Sequence, residues 1–329
     1  MASMKFNNVY LGDSYSVASS LEAKGNLKNL DLVINDYYFG LKTFEGAEIK
    51  MQKIVVDYLL QNNNNIKLIV GGDLSNQLAI TAFMASHYNI SYLGMYSACA
   101  TFNSAIISLA SLIDLKKINK GIAITSSHNK VAERQFRYPI EYGAPKPKRT
   151  TYTATGSVGV IVTKEKTNIR VESATIGQSI NSSIKDALNM GAVMAPAAAN
   201  TLYNHLKELN IDIKYYDLIL TGDLGIYGSK IFKELLNTKY NIKLNKHIDA
   251  GSILYKKEQN LYAGSSGPVT LPLVLFNKIL KEKKYKKILL IATGSLHSPT
   301  LVNQKNPICA TAHAIGLEVI KWYILMLLY

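Results

Sequence analysis

Apolar and polar positions recur along the chain with two different periods. Between residues 45 and 60, Ala47, Met51, Ile54, Val55, Tyr58 and Leu59 fall at helical spacings, which predicts an amphipathic helix. Residues 66–70 form an unbroken apolar run closed by Gly71 and Gly72, the pattern of a strand buried on both faces. A helical pattern returns over 76–87, a short strand over 92–95, an apolar helix over 100–117 and a second buried strand over 122–125. Strands alternating with helices predict an α/β fold with a largely parallel sheet.

The second half repeats the first. Ile69-Val70-Gly71-Gly72-Asp73-Leu74 is echoed 150 residues later by Ile219-Leu220-Thr221-Gly222-Asp223-Leu224. Ile124-Thr125-Ser126-Ser127-His128 is echoed, 168 to 169 residues later, by Ala292-Thr293-Gly294-Ser295-Leu296-His297. The larger second offset fits a polar insertion around 239–259. A period this long excludes a solenoid and predicts two similar α/β halves packed together.

Composition adds a partner class. Of 329 residues, 48% are hydrophobic and 18% charged, which excludes a disordered chain. The formal charge of +14 favours a negatively charged partner: a membrane face, a nucleic acid or a small anion. The richness in Lys, Asn, Ile and Tyr accounts for part of that charge as compositional bias. No basic stripe interleaved with aromatics appears, so no nucleic-acid partner is expected. Two cysteines cannot build a disulfide framework and fit a reducing compartment. The first residues lack the apolar region of a signal peptide, and no apolar run reaches the ~18 residues of a membrane span. Residues 322–329 are all apolar. They read as an interfacial or partner-docking tail, or as a reading-frame artefact.

Candidate chemistry gathers where strands end. Cys99 sits among small residues in Tyr96-Ser97-Ala98-Cys99-Ala100-Thr101, which permits a tight strand-to-helix turn. A helix N-terminus there lowers a thiol pKa and attracts anions. The competing reading is a buried structural cysteine. His128 ends a buried strand, where sites form in α/β sheets, or is a loop histidine bonded to backbone. His297 holds the matching place in the second half. Arg134 and Arg137 follow His128, with Phe136 and Tyr138 beside them. Guanidinium forks suit carboxylates, and the aromatics suit a flat ring. Residues 146–149 read as a solvated basic loop, and His87, His205 and His247 as helix-surface or loop residues. Asp223 and the stretch Gly264-Ser265-Ser266-Gly267 mark strand ends or helix entries of the second half, with a helix expected to start at Pro268. No phosphate loop, dinucleotide fingerprint, CxxC or HExxH is present, so no permanent metal or cofactor is expected.

These residues lie in motifs that resemble the stage V sporulation protein AD family from about Asn8 to Ile315. The motifs include Gly71-Gly72-Asp73-Leu74-Ser75-Asn76-Gln77, Ala132-Glu133-Arg134-Gln135-Phe136-Arg137-Tyr138-Pro139, Asn189-Met190-Gly191 and Pro307-Ile308-Cys309-Ala310-Thr311-Ala312-His313-Ala314. The stretch Gly264-Ser265-Ser266-Gly267-Pro268 departs from the family's usual Gly-rich segment. The resemblance implies a thiolase-like α/β fold of two duplicated βαβαβαββ halves in five α-β-α-β-α layers. The halves would span 1–165 and 166–315, with 316–329 as the apolar tail. It also implies binding of dipicolinic acid and its calcium chelate, and a homodimer working with the SpoVA membrane proteins of the same operon. Their work is to move the ligand into the developing spore, and the location implied is peripheral, on the outer face of the inner spore membrane. Condensing enzymes of this fold need a thiolate with His and His or Asn partners. At those partner positions this chain reads Thr221-Gly222-Asp223 and Gly264-Ser265-Ser266-Gly267. The expected pocket is therefore one converted to binding, with Cys99, His128, Arg134, Phe136, Arg137, Tyr138, Asp223, Ser265 and His297 around the ligand. Leu296 would add a wall, and Asp223 would meet any calcium the ligand carries. An acyl-transferring enzyme using Cys99 is the alternative.

Overall fold

Five strands of the first half recur, in the same order and orientation, in the second. The computed structural model describes residues 2–137 and 146–320. The first set is β1 (Tyr10–Ser19), β2 (Leu68–Gly72), β3 (Ser91–Gly94), β4 (Lys120–Ser127) and β5 (Gly156–Thr163). The second is β6 (Ile169–Ile176), β7 (Leu218–Thr221), β8 (His247–Asp249), β9 (Lys287–Ser295) and β10 (Cys309–Val319). In the first half β3, β2 and β4 run parallel, and β5 and then β1 add antiparallel. In the second, β8, β7 and β9 run parallel, and β10 and then β6 add antiparallel. The halves join where β1 pairs antiparallel with β6 at Tyr10↔Arg170 and Leu11↔Ile169. The β1/β6 junction makes the two five-stranded sets one continuous hydrogen-bonded sheet.

Helices fill the remaining places of the repeat. They are α1 (Phe44–Asn62), α2 (Ala79–Ala85), α3 (Thr101–Asp114) and α4 (Asn129–Phe136) in the first half. The second half has α5 (Met190–Leu209), α6 (Gly225–Tyr240), α7 (Ala250–Leu254) and α8 (Thr270–Val274), the last continuing as a wider turn through Ile279. Helix α1 starts cleanly because the Thr43 side chain accepts from the Gly46 N–H. Its apolar stripe, Met51, Val55 and Leu59, packs with α2 over one face of the first half. Helices α5 and α6 cover the outer face of the second half. Helix α3 is buried along most of its length, as a helix between the two halves of the sheet must be. With α8 it forms the middle layer, where Phe102 meets Phe276 edge-on with ring centroids 6.1 Å apart. The layers are thus α-β-α-β-α.

Several boundaries differ from the sequence expectation. The helix expected over 76–87 splits, because Gln77 and Leu78 take positive φ and only Ala79–Ala85 is α-helical. The helix expected at Pro268 begins at Thr270. Strand β10 runs buried through Val319, beyond the boundary at 315, because its end residues complete the pairing with β9 and β6. The apolar segment 322–329 lies outside the described residues. His205 lies inside α5, fully buried, and not on a helix surface. It is satisfied there as a neutral imidazole by Thr175 Oγ1 at 2.7 Å and the Tyr216 hydroxyl at 2.7 Å.

Candidate functional site

The parallel strands of both halves point their carboxyl ends at one place. Leu74 follows β2, Cys99 follows β3, Glu133 and Arg137 follow β4, Asp223 follows β7, and Ser295 with His297 closes β9. A cleft of about 530 Å³ opens there, lined by Leu74, Tyr96, Gln135, Phe136, Leu296 and His297 among others. A smaller recess of about 40 Å³ shares several of these walls and reaches Cys99, Glu133, Arg137, Ser266, Gly267 and Ser295.

Cys99 sits in the short turn Ala98–Ala100 that leads into α3, and it is buried. Contrary to the sequence expectation, the thiol pKa is raised rather than lowered, because burial outweighs the donors around it. Burial pushes the thiol well above its ordinary value, and the neighbouring Asp223 carboxyl pushes it further. The thiol and the Asp223 carboxyl are both buried, and each shifts the pKa of the other. Asp223 is itself raised well above the usual carboxylate range by burial. Its Oδ2 accepts the Gly267 N–H at 2.9 Å, and its Oδ1 has no N–H or O–H partner among the described residues. The Gly267 amide opens the second half's central helix, and Gly267 holds φ +106°, a conformation that suits glycine.

The duplicate of Asp223 is Asp73, and the two have different tasks. Asp73 accepts from the Ser75 N–H at 2.7 Å, the Thr81 N–H at 2.8 Å and the Thr81 hydroxyl at 2.5 Å, so it is spent on the turn into α2. In the second half Asp249 does this work. It accepts from the N–H groups of Leu224, Gly225 and Ser252 and from the Thr221 hydroxyl. Asp223 is thereby free to face the thiol.

Arg137 is the buried cation of the recess. Helix α4 ends at Phe136, and Arg137 leaves the helix with φ −134°, turning its side chain inward. Its Nη1 donates to Glu133 Oε1 at 2.6 Å and to the Thr151 carbonyl at 3.0 Å. Lys146 donates to the other Glu133 oxygen, so this residue of the expected solvated loop belongs to the recess. The Phe136 and His297 rings lie side by side at a centroid distance of 5.3 Å, tilted by 32°, and form an aromatic wall. Burial, with Arg137 nearby, lowers the His297 pKa to about 4, so the ring is neutral at pH 7.

The other expected residues stand apart. His128 is buried as the N-cap of α4. Its Nδ1 accepts from Lys130 N–H at 3.2 Å and its Nε2 donates to the Tyr37 carbonyl at 2.9 Å. Both nitrogens are engaged, and the ring does not line the cleft. Arg134 lies half-exposed and ion-pairs with Glu45 on the surface. Ser265 is buried and hydrogen-bonds Thr270 Oγ1 at 2.8 Å, while its neighbour Ser266 lines the recess. Tyr138 lies outside the described residues. Sequence reasoning missed Glu133, Met190, Ser266 and Ser295. For Glu133 the signal was present, since Glu133 and Arg137 are spaced for an i,i+4 pair.

The Ser266 and Ser295 hydroxyls line the recess, are buried, and have no hydrogen-bond partner among the described residues. Two unsatisfied hydroxyls, a buried guanidinium and an aromatic wall suit a flat anion.

Two duplicated βαβαβαββ halves, with a cysteine turn at their junction, define a thiolase-like protein. Solved structures with the same fold include an OleA variant from Xanthomonas campestris, at TM-score 0.64 and 12% identity, covering 96% of this chain and 98% of that one. Another is 3-oxoacyl-[acyl-carrier-protein] synthase III from Aquifex aeolicus, at TM-score 0.57 and 13% identity, covering 94% and 99%. A third is an acetyl-CoA acetyltransferase from Syntrophomonas wolfei, at TM-score 0.61 and 8% identity, covering 95% and 100%. Within this class the chain belongs to the stage V sporulation protein AD family, whose family model matches residues 2–318. It is 37% identical over 318 residues to the stage V sporulation protein AD of Bacillus subtilis strain 168, covering 94% of each chain.

Proposed function

We propose that this chain binds dipicolinic acid and its calcium chelate in the cleft between its halves. It would do so without catalysis, as the peripheral member of a complex with the SpoVA membrane proteins on the outer face of the inner spore membrane. The observation that carries the reading is the pair of unpartnered hydroxyls beside a buried guanidinium in the recess. Ser266 and Ser295 offer hydroxyls without partners among the described residues, Arg137 offers the guanidinium N–H groups beyond the Nη1 bonds to Glu133 and Thr151, and Phe136 with His297 offers an aromatic wall. A planar dicarboxylate uses such a set at both ends and on its ring. Calcium would arrive with the ligand, and Asp223 Oδ1 is the protein oxygen left to meet it. Among the described residues no helix is long and apolar enough to cross a membrane, which agrees with a peripheral attachment. The chain acts as a homodimer in this reading. Titration calorimetry with dipicolinate, with and without calcium, tests it.

Acyl transfer is the second reading, favoured by the place of Cys99 at the entry to α3. Asp223 weighs against it, because its carboxyl raises the thiol pKa and takes the Gly267 amide as its own donor. An enzyme deprived of an oxyanion donor loses about 100- to 1,000-fold in rate. Purified protein incubated with acetyl-CoA is expected to release no CoA above the buffer rate. Sustained release would establish the enzyme.

A further inference from the structure

The strands that deliver residues to the cleft begin at the opposite end of the molecule, and that end is lined with lysine. Lys67 precedes β2, Lys117 lies in the connection into β4, and Lys164 follows β5, which runs antiparallel to β4. In the second half Lys243 and Lys246 lie just before β8, and Lys286 just before β9. Backbone hydrogen bonds hold these connections side by side. Lys67 N–H donates to Lys120 O at 3.4 Å and Lys164 N–H to Asn119 O at 3.0 Å. Ile219 N–H donates to Lys246 O at 2.8 Å, and Lys286 N–H to the Asp217 carboxylate at 2.9 Å. All six lysines are exposed.

Several acidic groups lie at this end as well. Glu165 pairs with Lys120, and Glu172 and Glu318 pair with Lys287. Asp217 accepts the backbone amides of Lys286 and Lys287. Asp217 acts on Lys246 and Lys286, and the six lysines together still leave a net positive field at this end of the protein.

We infer that this basic end docks on an anionic lipid surface, so that the ligand cleft opens away from the bilayer. The inference rests on the reading that the protein is peripheral to a membrane, and it names the surface and the orientation. Lysine, a hydrated point charge on a flexible stem, suits the diffuse layer of anionic headgroups that a bilayer presents.

Sedimentation with vesicles tests it, using phosphatidylcholine alone and phosphatidylcholine mixed with phosphatidylglycerol. Wild type should pellet with the mixed vesicles only, and less as salt rises. Each lysine near the surface is worth about 1 kcal/mol, or roughly fivefold in partition. The variant carrying Lys243→Gln, Lys246→Gln and Lys286→Gln should therefore partition about 100-fold more weakly. A variant carrying Lys42→Gln, Lys148→Gln and Lys305→Gln changes the same charge at the cleft end and should lose less than about fivefold. Equal loss in both variants would overturn the inference, as would wild type pelleting equally with phosphatidylcholine alone. So would binding to duplex DNA but not to vesicles. Calorimetry with dipicolinate on the same preparations separates the two readings. Ligand binding without vesicle binding ends the docking inference alone, and unchanged ligand affinity in the lysine variants shows that they are folded.

Discussion

The Asp223 carboxyl raises the pKa of the Cys99 thiol at the junction of the halves, where both groups are buried and the Gly267 amide donates to the carboxyl. The thiol stays protonated at neutral pH, since burial and a neighbouring acid both disfavour a thiolate. Cys99 is therefore expected to resist iodoacetamide at pH 7 when Cys309 is replaced by serine. At alkaline pH, where Asp223 is ionised, Asp223→Asn should speed labelling by about tenfold, the effect of one pKa unit on the thiolate fraction. Intact-mass spectrometry reads the rate. Fast labelling of wild type at pH 7 would show a live nucleophile.

Acid should weaken the fold through its buried histidines, and His205 isolates the effect. Burial lowers its pKa from 6.5 to about 4. Its contribution is fully present above pH 6.5 and is lost as pH falls toward 4, because the unfolded chain takes up the proton first. The loss is about 3 kcal/mol for one such group. His128, His297 and His313 act in the same direction, while the raised acids Glu22 and Glu48 oppose them. The comparison must therefore be between wild type and His205→Gln. Denaturant unfolding from pH 7.5 to 4.5 should give a flatter stability profile for the variant. Parallel profiles would mean that His205 carries its proton in the folded state.

The outer helices of the second half approach too closely for a side chain between them. A Cβ on Gly228 would lie 2.7 Å from Gly191 Cα and 2.7 Å from Gly191 O. The crossing of α5 and α6 thus depends on both glycines. Gly228→Ala should cost about 1–3 kcal/mol, seen as a lower Tm with the ligand affinity kept. An unchanged Tm would mean the helices separate freely.

The fold was legible because duplication is a pattern of apolar runs, which survive in sequence as strands. The echo of Asp73 in Asp223 marked the matching ends of β2 and β7. It could not reveal that the two carboxylates do different work, because that depends on Asp249, which comes from β8 and takes over the turn. The same limit applied to the basic residues after His128. Arg134 and Arg137 are three positions apart, and only the end of α4 at Phe136 sends one inward and leaves the other with Glu45. His128 looked like a strand-end ligand residue, but the helix that begins beside it uses the ring as a cap.

His128 and Arg134 consequently serve as controls for the ligand site. Arg134→Gln should leave dipicolinate affinity within about twofold, since an exposed ion pair contributes about 0–1 kcal/mol and lies off the cleft. His128→Ala removes a helix cap and should lower stability by about 0.5–2 kcal/mol, read by thermal unfolding. A large loss of affinity in a folded Arg134 variant would move the ligand toward the outer surface of α4.

Titration calorimetry of dipicolinate against wild type, Arg137→Gln and Phe136→Ala addresses the binding claim most directly. Wild type should give a saturable heat. Arg137→Gln should weaken affinity by about 10- to 150-fold, the value of a charge-assisted hydrogen bond of about 1.5–3 kcal/mol. Phe136→Ala tests the aromatic wall without touching the Glu133 ion pair and should also weaken binding, which guards against an Arg137 variant that merely misfolds. No heat with wild type, or undiminished affinity in both folded variants, would contradict a dicarboxylate site at the junction of the halves.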